Sequence, residues 1–225
     1  MRGGGFDMFR KHNVSVVLNL LSIILIFTLL ITMSLTDIIC YAHYLSIPEG
    51  GGGSHSSWGT GTADHRYDGY KKVEFIAKSI IVPGLGGATA TGYMYATAPG
   101  YDGECIVKVR MTRKGWLYMA FSAGYASASY KFIFTIYDLT ADALKFKDVI
   151  DDETADIPYV PKIIDRNEEH NYIVYMSASH DYKFTVKGIG KVSAGGFGVA
   201  IVDFYCDTDK PHYIEWGYII YYLSG

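Results

Sequence analysis

Basic charge is what this 225-residue sequence lacks most plainly: 20 Lys and Arg stand against 23 Asp and Glu, a formal net charge of −3. A nucleic-acid partner needs a basic face to neutralise phosphates, so that class is excluded. Helical periodicity is also missing after the first 42 residues, apart from the short polar run around "DDETAD". Parallel βαβ units therefore have no crossover helices to use. No segment repeats at a fixed period, which removes propellers and solenoids. Catalytic signatures are absent too. "KVSAGG" around Ser193 lacks the first glycine of a nucleophile elbow, and "GIGKVS" around Lys191 lacks the Lys-Ser/Thr adjacency of a phosphate-binding loop. His43, His55, His65, His170, His180 and His212 show no close pair of the kind that marks zinc sites. The expectation is a protein without catalysis. A small extracellular hydrolase, using two carboxylates among Glu74, Glu104, Asp203 and Glu215, is a third reading.

What the sequence does have is tyrosine (20), glycine (25) and 49% apolar residues, with only six prolines. That is enough apolar material for a buried core. Aromatic and β-branched runs such as "ECIVKVRM", "WLYMAFSA", "SYKFIFTIYDL" and "YIEWGYIIYYL" are short and split by Gly, Ser and Pro, which predicts eight or nine strands. The fold class is all-β: an antiparallel β-sandwich, jelly-roll-like, over residues 71–225. "TRKG" is read as a turn, "FSAGYASASY" as a wide hairpin loop or a packing face between subunits, and the last strand as a mid-sheet strand. The stretch "GYDGECIVKVRMTRKGWLYMAFSA", with the late "WGYIIYYL", resembles the complement-C1q and tumour-necrosis-factor jelly rolls, which place an aromatic-rich hairpin early and an apolar strand last. The resemblance covers a small part of the chain and implies architecture alone.

Residues 1–42 stand apart. Val14 to Leu35 are 22 residues without a charge; at about 1.5 Å each, such a helix spans the roughly 30 Å hydrocarbon core. Arg2, Arg10 and Lys11 precede it and Asp37 follows, so the N-terminus is expected in the cytoplasm and the rest exported. The segment serves either as a cleaved signal, with small Cys40 and Ala42 before a cut at His43, or as a retained transmembrane anchor. Residues 43–70, with the run Gly50 to Ser54, read as a Gly/Ser-rich tether. The expected location is extracellular or at the cell surface.

Three groups of residues are candidates for function. Cys105 and Cys206 remain as an even pair once Cys40 is set aside, each on the apolar face of its strand, and are expected to form a disulfide. Asp148, Asp151, Asp152, Glu153 and Asp156 crowd one stretch that suits calcium, though not in an EF-hand spacing; the plain alternative is a solvated acidic loop. No other cofactor is expected. The pairs Tyr93/Tyr95, Tyr125/Tyr130 and Tyr218/Tyr222 are expected to present rings to a ligand or partner. The main functional reading is a membrane-tethered or secreted surface protein acting by assembly or adhesion, as a homo-oligomer or with a surface partner. The alternative is a carbohydrate-binding module, calcium-dependent in one form.

Overall fold

The computed structural model describes position 24 and residues 42–80, 84–205 and 211–224. The chain divides into two units between Ala42 and His43. The apolar stretch from Val14 to Leu35, position 24 excepted, lies outside the described residues, and with it the signal or anchor reading; so does Cys206. Among the described residues no helix is long and apolar enough to cross a membrane.

From His43 onward the described residues form ten strands: β1 (His43–Leu45), β2 (Gly50–Gly59), β3 (Gly61–Tyr67), β4 (Lys72–Ser79), β5 (Gly84–Pro99), β6 (Gly103–Asp138), β7 (Ala143–Thr154), β8 (Lys162–Met176), β9 (Asp181–Phe204) and β10 (Tyr213–Leu223). Every pairing is antiparallel. The all-β sandwich expected from the sequence is therefore present. One layer runs β2–β5–β9–β6–β7, using β9 from Asp181 and β6 up to Asp138. The other runs β3–β4–β10–β6–β8, using the first half of β6. The end of β9 continues this second layer beside β4, and β1 adds to β10.

The layers meet face to face. A Cβ on Gly92 of β5 would land 2.7 Å from Val73 of β4, and one on Gly188 of β9 would land 2.5 Å from Ile214 of β10. Strict alternation fills the interface: Ala88, Ala90, Met94 and Ala96 of β5 are buried, as are Val73, Phe75 and Ala77 of β4. Phe75, Phe204 and Tyr130 stack at its centre, with ring centroids 5.2 and 4.3 Å apart.

β6 runs for 36 residues, which would be about 120 Å if straight. It bends instead. Between Phe121 and Gly124 the register with β9 shifts, and Gly124 and Gly196 adopt φ of 121° and 69°, a region open to glycine. Both long strands pass there from one layer to the other. Four expectations are corrected by these elements. "TRKG" is no turn, because Arg113 and Lys114 pair with β10 on one side and β8 on the other. "FSAGYASASY" is the bend and continuation of β6, and "DDETAD" lies largely in β7. The stretch 43–70 is built into the sheets: β2 pairs with β5 through 10 residues and β3 with β4 through 7. Its glycines resemble a linker in composition but answer to close neighbours. A Cβ on Gly51 would meet the Tyr67 ring at 2.7 Å, and one on Gly50 the Tyr95 hydroxyl at 2.8 Å. The expected mid-sheet position of the last strand is observed, since β10 lies between β6 and the pair β1/β4.

Candidate functional site

The outer face of the β2–β5–β9–β6 layer carries the most organised surface chemistry. Alternation turns Thr89, Thr91, Tyr93, Tyr95 and Thr97 of β5 to the side opposite the buried alanines, Thr91 itself being buried there. Tyr93 and Tyr95 thus share a face, as expected. Each lies against β2: a Cβ on Gly52 would meet the Tyr93 hydroxyl at 3.3 Å, and Gly50 occupies the same place under Tyr95. Glycine at these positions gives the two half-buried rings room to lie against β2. Polar groups border them. Lys183 Nζ sits 4.0 Å from the Tyr95 ring centroid, a cation–π contact. The Thr97 hydroxyl donates to Glu49 Oε2 at 2.6 Å, and Lys187 pairs with Tyr93.

The face continues toward the bend. Ser54 and Ser56 lie opposite Thr91 and Thr89, then Lys191 and Ser193 lie opposite Ser129 and Ser127, a floor of hydroxyls and ammonium groups. At the far end Trp58 covers Gly87, while Leu85 and Tyr125 converge over Gly195. Trp58, Leu85 and Tyr125 are 55%, 59% and 46% exposed. The result is a flat face with rings at both ends and hydroxyls between. Trp58 was not singled out in the sequence because its stretch reads as a tether.

The other expected residues go elsewhere. Tyr130 cannot partner Tyr125: five positions apart on one strand, they face opposite sides, and Tyr130 is fully buried. Burial pushes its hydroxyl pKa well up, against the pull of nearby Arg113. Tyr218 and Tyr222 do share a face, on the outside of the other layer, where the Tyr218 hydroxyl donates to Glu169 and Lys108 lies 5.9 Å from the Tyr222 ring.

The acidic run does not converge. Asp151 takes Arg113 beside Glu168, Asp152 takes Lys131 at 2.6 Å, and Glu153 and Asp156 share Lys162 at 2.8 and 3.0 Å. Asp148 accepts from the Tyr172 hydroxyl at 3.0 Å. Most of these residues lie on strand β7, which turns neighbours to opposite faces, so the run is a set of ion pairs and not one oxygen cage. Among the described residues the side chains close enough to share a metal are instead His55, Asp64 and His65. Cys105 is buried on the core face as expected, but the expected disulfide is corrected, because Cys105 carries a free thiol, whose pKa burial raises.

No protein-family description and no curated protein matches the chain. Similar solved structures include the C-terminal carbohydrate-binding module (CBM6) of LamC, a marine laminarinase from Zobellia galactanivorans, at 8% identity and a TM-score of 0.26, covering 80% of this chain and 98% of that one. Another is the module CBM6cm-2 from Cellvibrio mixtus lichenase 5A in complex with cellotriose, at 11% identity and 0.24, covering 81% and 98%. A third is the K1 cleaved adhesin domain of Lys-gingipain from Porphyromonas gingivalis, at 14% identity and 0.24, covering 82% and 99%. Superposition this loose assigns neither ligand nor activity to the chain.

Proposed function

We propose that residues 43–225 form a non-catalytic carbohydrate-binding module, a jelly-roll-like sandwich that takes its ligand on the outer face of the β2–β5–β9–β6 layer. The observation that supports this reading is the pair Tyr93/Tyr95, laid against Gly52 and Gly50, with the Lys183 ammonium over the Tyr95 ring, where a stacking sugar would displace it, and Lys187 and the Thr97–Glu49 pair beside them. A pyranose ring offers a face of C–H bonds and a rim of hydroxyls. Tyrosine rings match the first through their π-faces, and the bordering amines and carboxylate match the second. Rings fixed against the neighbouring strand β2 lose little entropy when the sugar stacks.

Assembly through this face fits less well. Lys183, Lys187, Lys191 and Lys131 all stand on it, and lysine is depleted where protein surfaces bury each other. Export through the basic-then-apolar N-terminal segment accompanies the proposal, since insoluble or surface glycans lie outside the cytoplasm.

The test is calorimetry of the full chain against soluble glucans, xylans and galactans, with Tyr95→Ala and Tyr93→Ala as variants. One class of glycan should bind. Each variant should weaken that binding by up to about tenfold, the equivalent of roughly 0.5–1.5 kcal/mol per aromatic contact. Retained affinity in the double variant would sink the site, and no binding to any glycan would sink the function.

A further inference from the structure

We propose that His55, Asp64 and His65 form a binding site for one divalent transition metal ion, zinc or copper, that clamps the two edge strands of the sandwich together. β2 ends one layer and β3 ends the other, and each pairs with a single neighbour along its length. His55 projects from β2 on the side opposite Ser54, Ser56 and Trp58, and His65 projects from β3 toward it. The two Nδ1 atoms are 3.0 Å apart, with ring centroids at 5.2 Å and a 50° tilt. Asp64 brings a carboxylate oxygen into the same group, all ligand atoms lying within 4.8 Å of one another.

Two neutral imidazoles facing through the same nitrogen share a single proton. One ring holds it on Nδ1 and the other accepts. If that proton moves through solvent to the ring's own Nε2, both Nδ1 lone pairs face the gap, with no net proton released. Zinc–nitrogen bonds of about 2.0–2.1 Å in a tetrahedron place two ring nitrogens about 3.3 Å apart, so the rings need part by only a few tenths of an ångström. Asp64 is already oriented, because its Oδ1 accepts the backbone N–H of His65 at 2.7 Å. The site is open: His55 and Asp64 are exposed, so water completes the shell. Two imidazoles with one carboxylate suit zinc and copper, not calcium. Gly53 holds the geometry from behind, since a Cβ there would stand 2.5 Å from the His65 ring.

The experiment is titration of the chelator-treated full chain with zinc chloride, and separately with copper chloride, followed by calorimetry and by melting temperature. One ion should bind per chain, and zinc should raise the melting temperature, as any ligand of the folded state does. His65→Ala and His55→Gln should each lower affinity by at least about tenfold and remove the thermal shift, while Asp64→Asn has a smaller effect. His212→Gln, elsewhere in the fold, should leave both readouts unchanged. His55→Gln alone suffices if His65→Ala does not fold, because His55 is exposed. Absence of stoichiometric binding in the unaltered chain overturns the proposal. So does full affinity in folded His55→Gln, or an equal loss in His212→Gln. The result is independent of glycan binding, which uses the opposite side of β2.

Discussion

Gly53 sits where the Thr91 carbonyl and the His65 imidazole leave no room for a methyl group. Gly53→Ala should therefore push β2 off β5 or displace His65, at a cost of about 1–3 kcal/mol, the usual range for overfilling a packed site. Urea unfolding of the two proteins measures it; equal midpoints would show that β2 is not held there. The same residue explains why residues 50–59 were illegible as a strand. Composition records that glycine is abundant, not that the room is already taken by Tyr67, Tyr93, Tyr95 and His65. Those neighbours come from strands β3 and β5, beyond any local reading. His55 and His65 were hidden by the same mistake, since a tether brings no two positions together. Tyr93 and Tyr95 were legible, because two residues apart on one strand means one face. Tyr130 was equally legible as core from the alternation Tyr130, Phe132, Phe134, Ile136, all of it buried.

Turns between elements show a different device. Asp138 ends β6, is buried, and accepts from the backbone N–H of Thr140 and Ala141 at 3.1 and 2.8 Å. Its other oxygen lies 2.8 Å from His180 Nδ1, in the turn before β9, and 3.6 Å from Lys145 Nζ on β7. One carboxylate thus ties two turns together. Burial alone pushes its pKa up, but the His180 hydrogen bond, the Ala141 N–H and the charges of His180 and Lys145 outweigh that and bring it down to about 2. A folded-state pKa below the ordinary value of 3.8 contributes stability that is present above about pH 4 and is lost as pH falls toward 2. Asp138→Asn should be less stable at neutral pH and should show a flatter fall in stability between pH 4 and 2. Parallel pH profiles for the two proteins would remove Asp138 as the titrating latch. Nothing local announces this pair, whose members are 42 positions apart. Nor was "TRKG" readable as strand: Arg113 enters the interior because Asp151 and Glu168 meet it from β7 and β8.

At the scale of the molecule, β6 and β9 run through both layers, so neither layer has a core of its own. Phe75 is the common point: it faces Gly92, Gly188 and Gly190 of the first layer and stacks on Phe204 and Tyr130. The antiparallel sandwich was predictable from short alternating runs. The sharing of two strands was not, because the bend depends on Gly124 and Gly196 meeting across the sheet, and each glycine alone reads as a turn. Shared strands imply that the layers unfold together. Phe75→Ala should cost about 3–5 kcal/mol, the range for emptying a buried phenylalanine site. The loss should appear equally in far-UV circular dichroism, which reports both layers, and in fluorescence of buried Trp216, which reports the second once Trp58 and Trp116 are replaced by phenylalanine. If the layers were separate folding units, the substitution would split the transition, with Trp216 reporting earlier than the backbone signal. Coincident transitions, both displaced by the same amount, are the expected result, since the strands that carry the proposed glycan face also complete the core of the opposite layer.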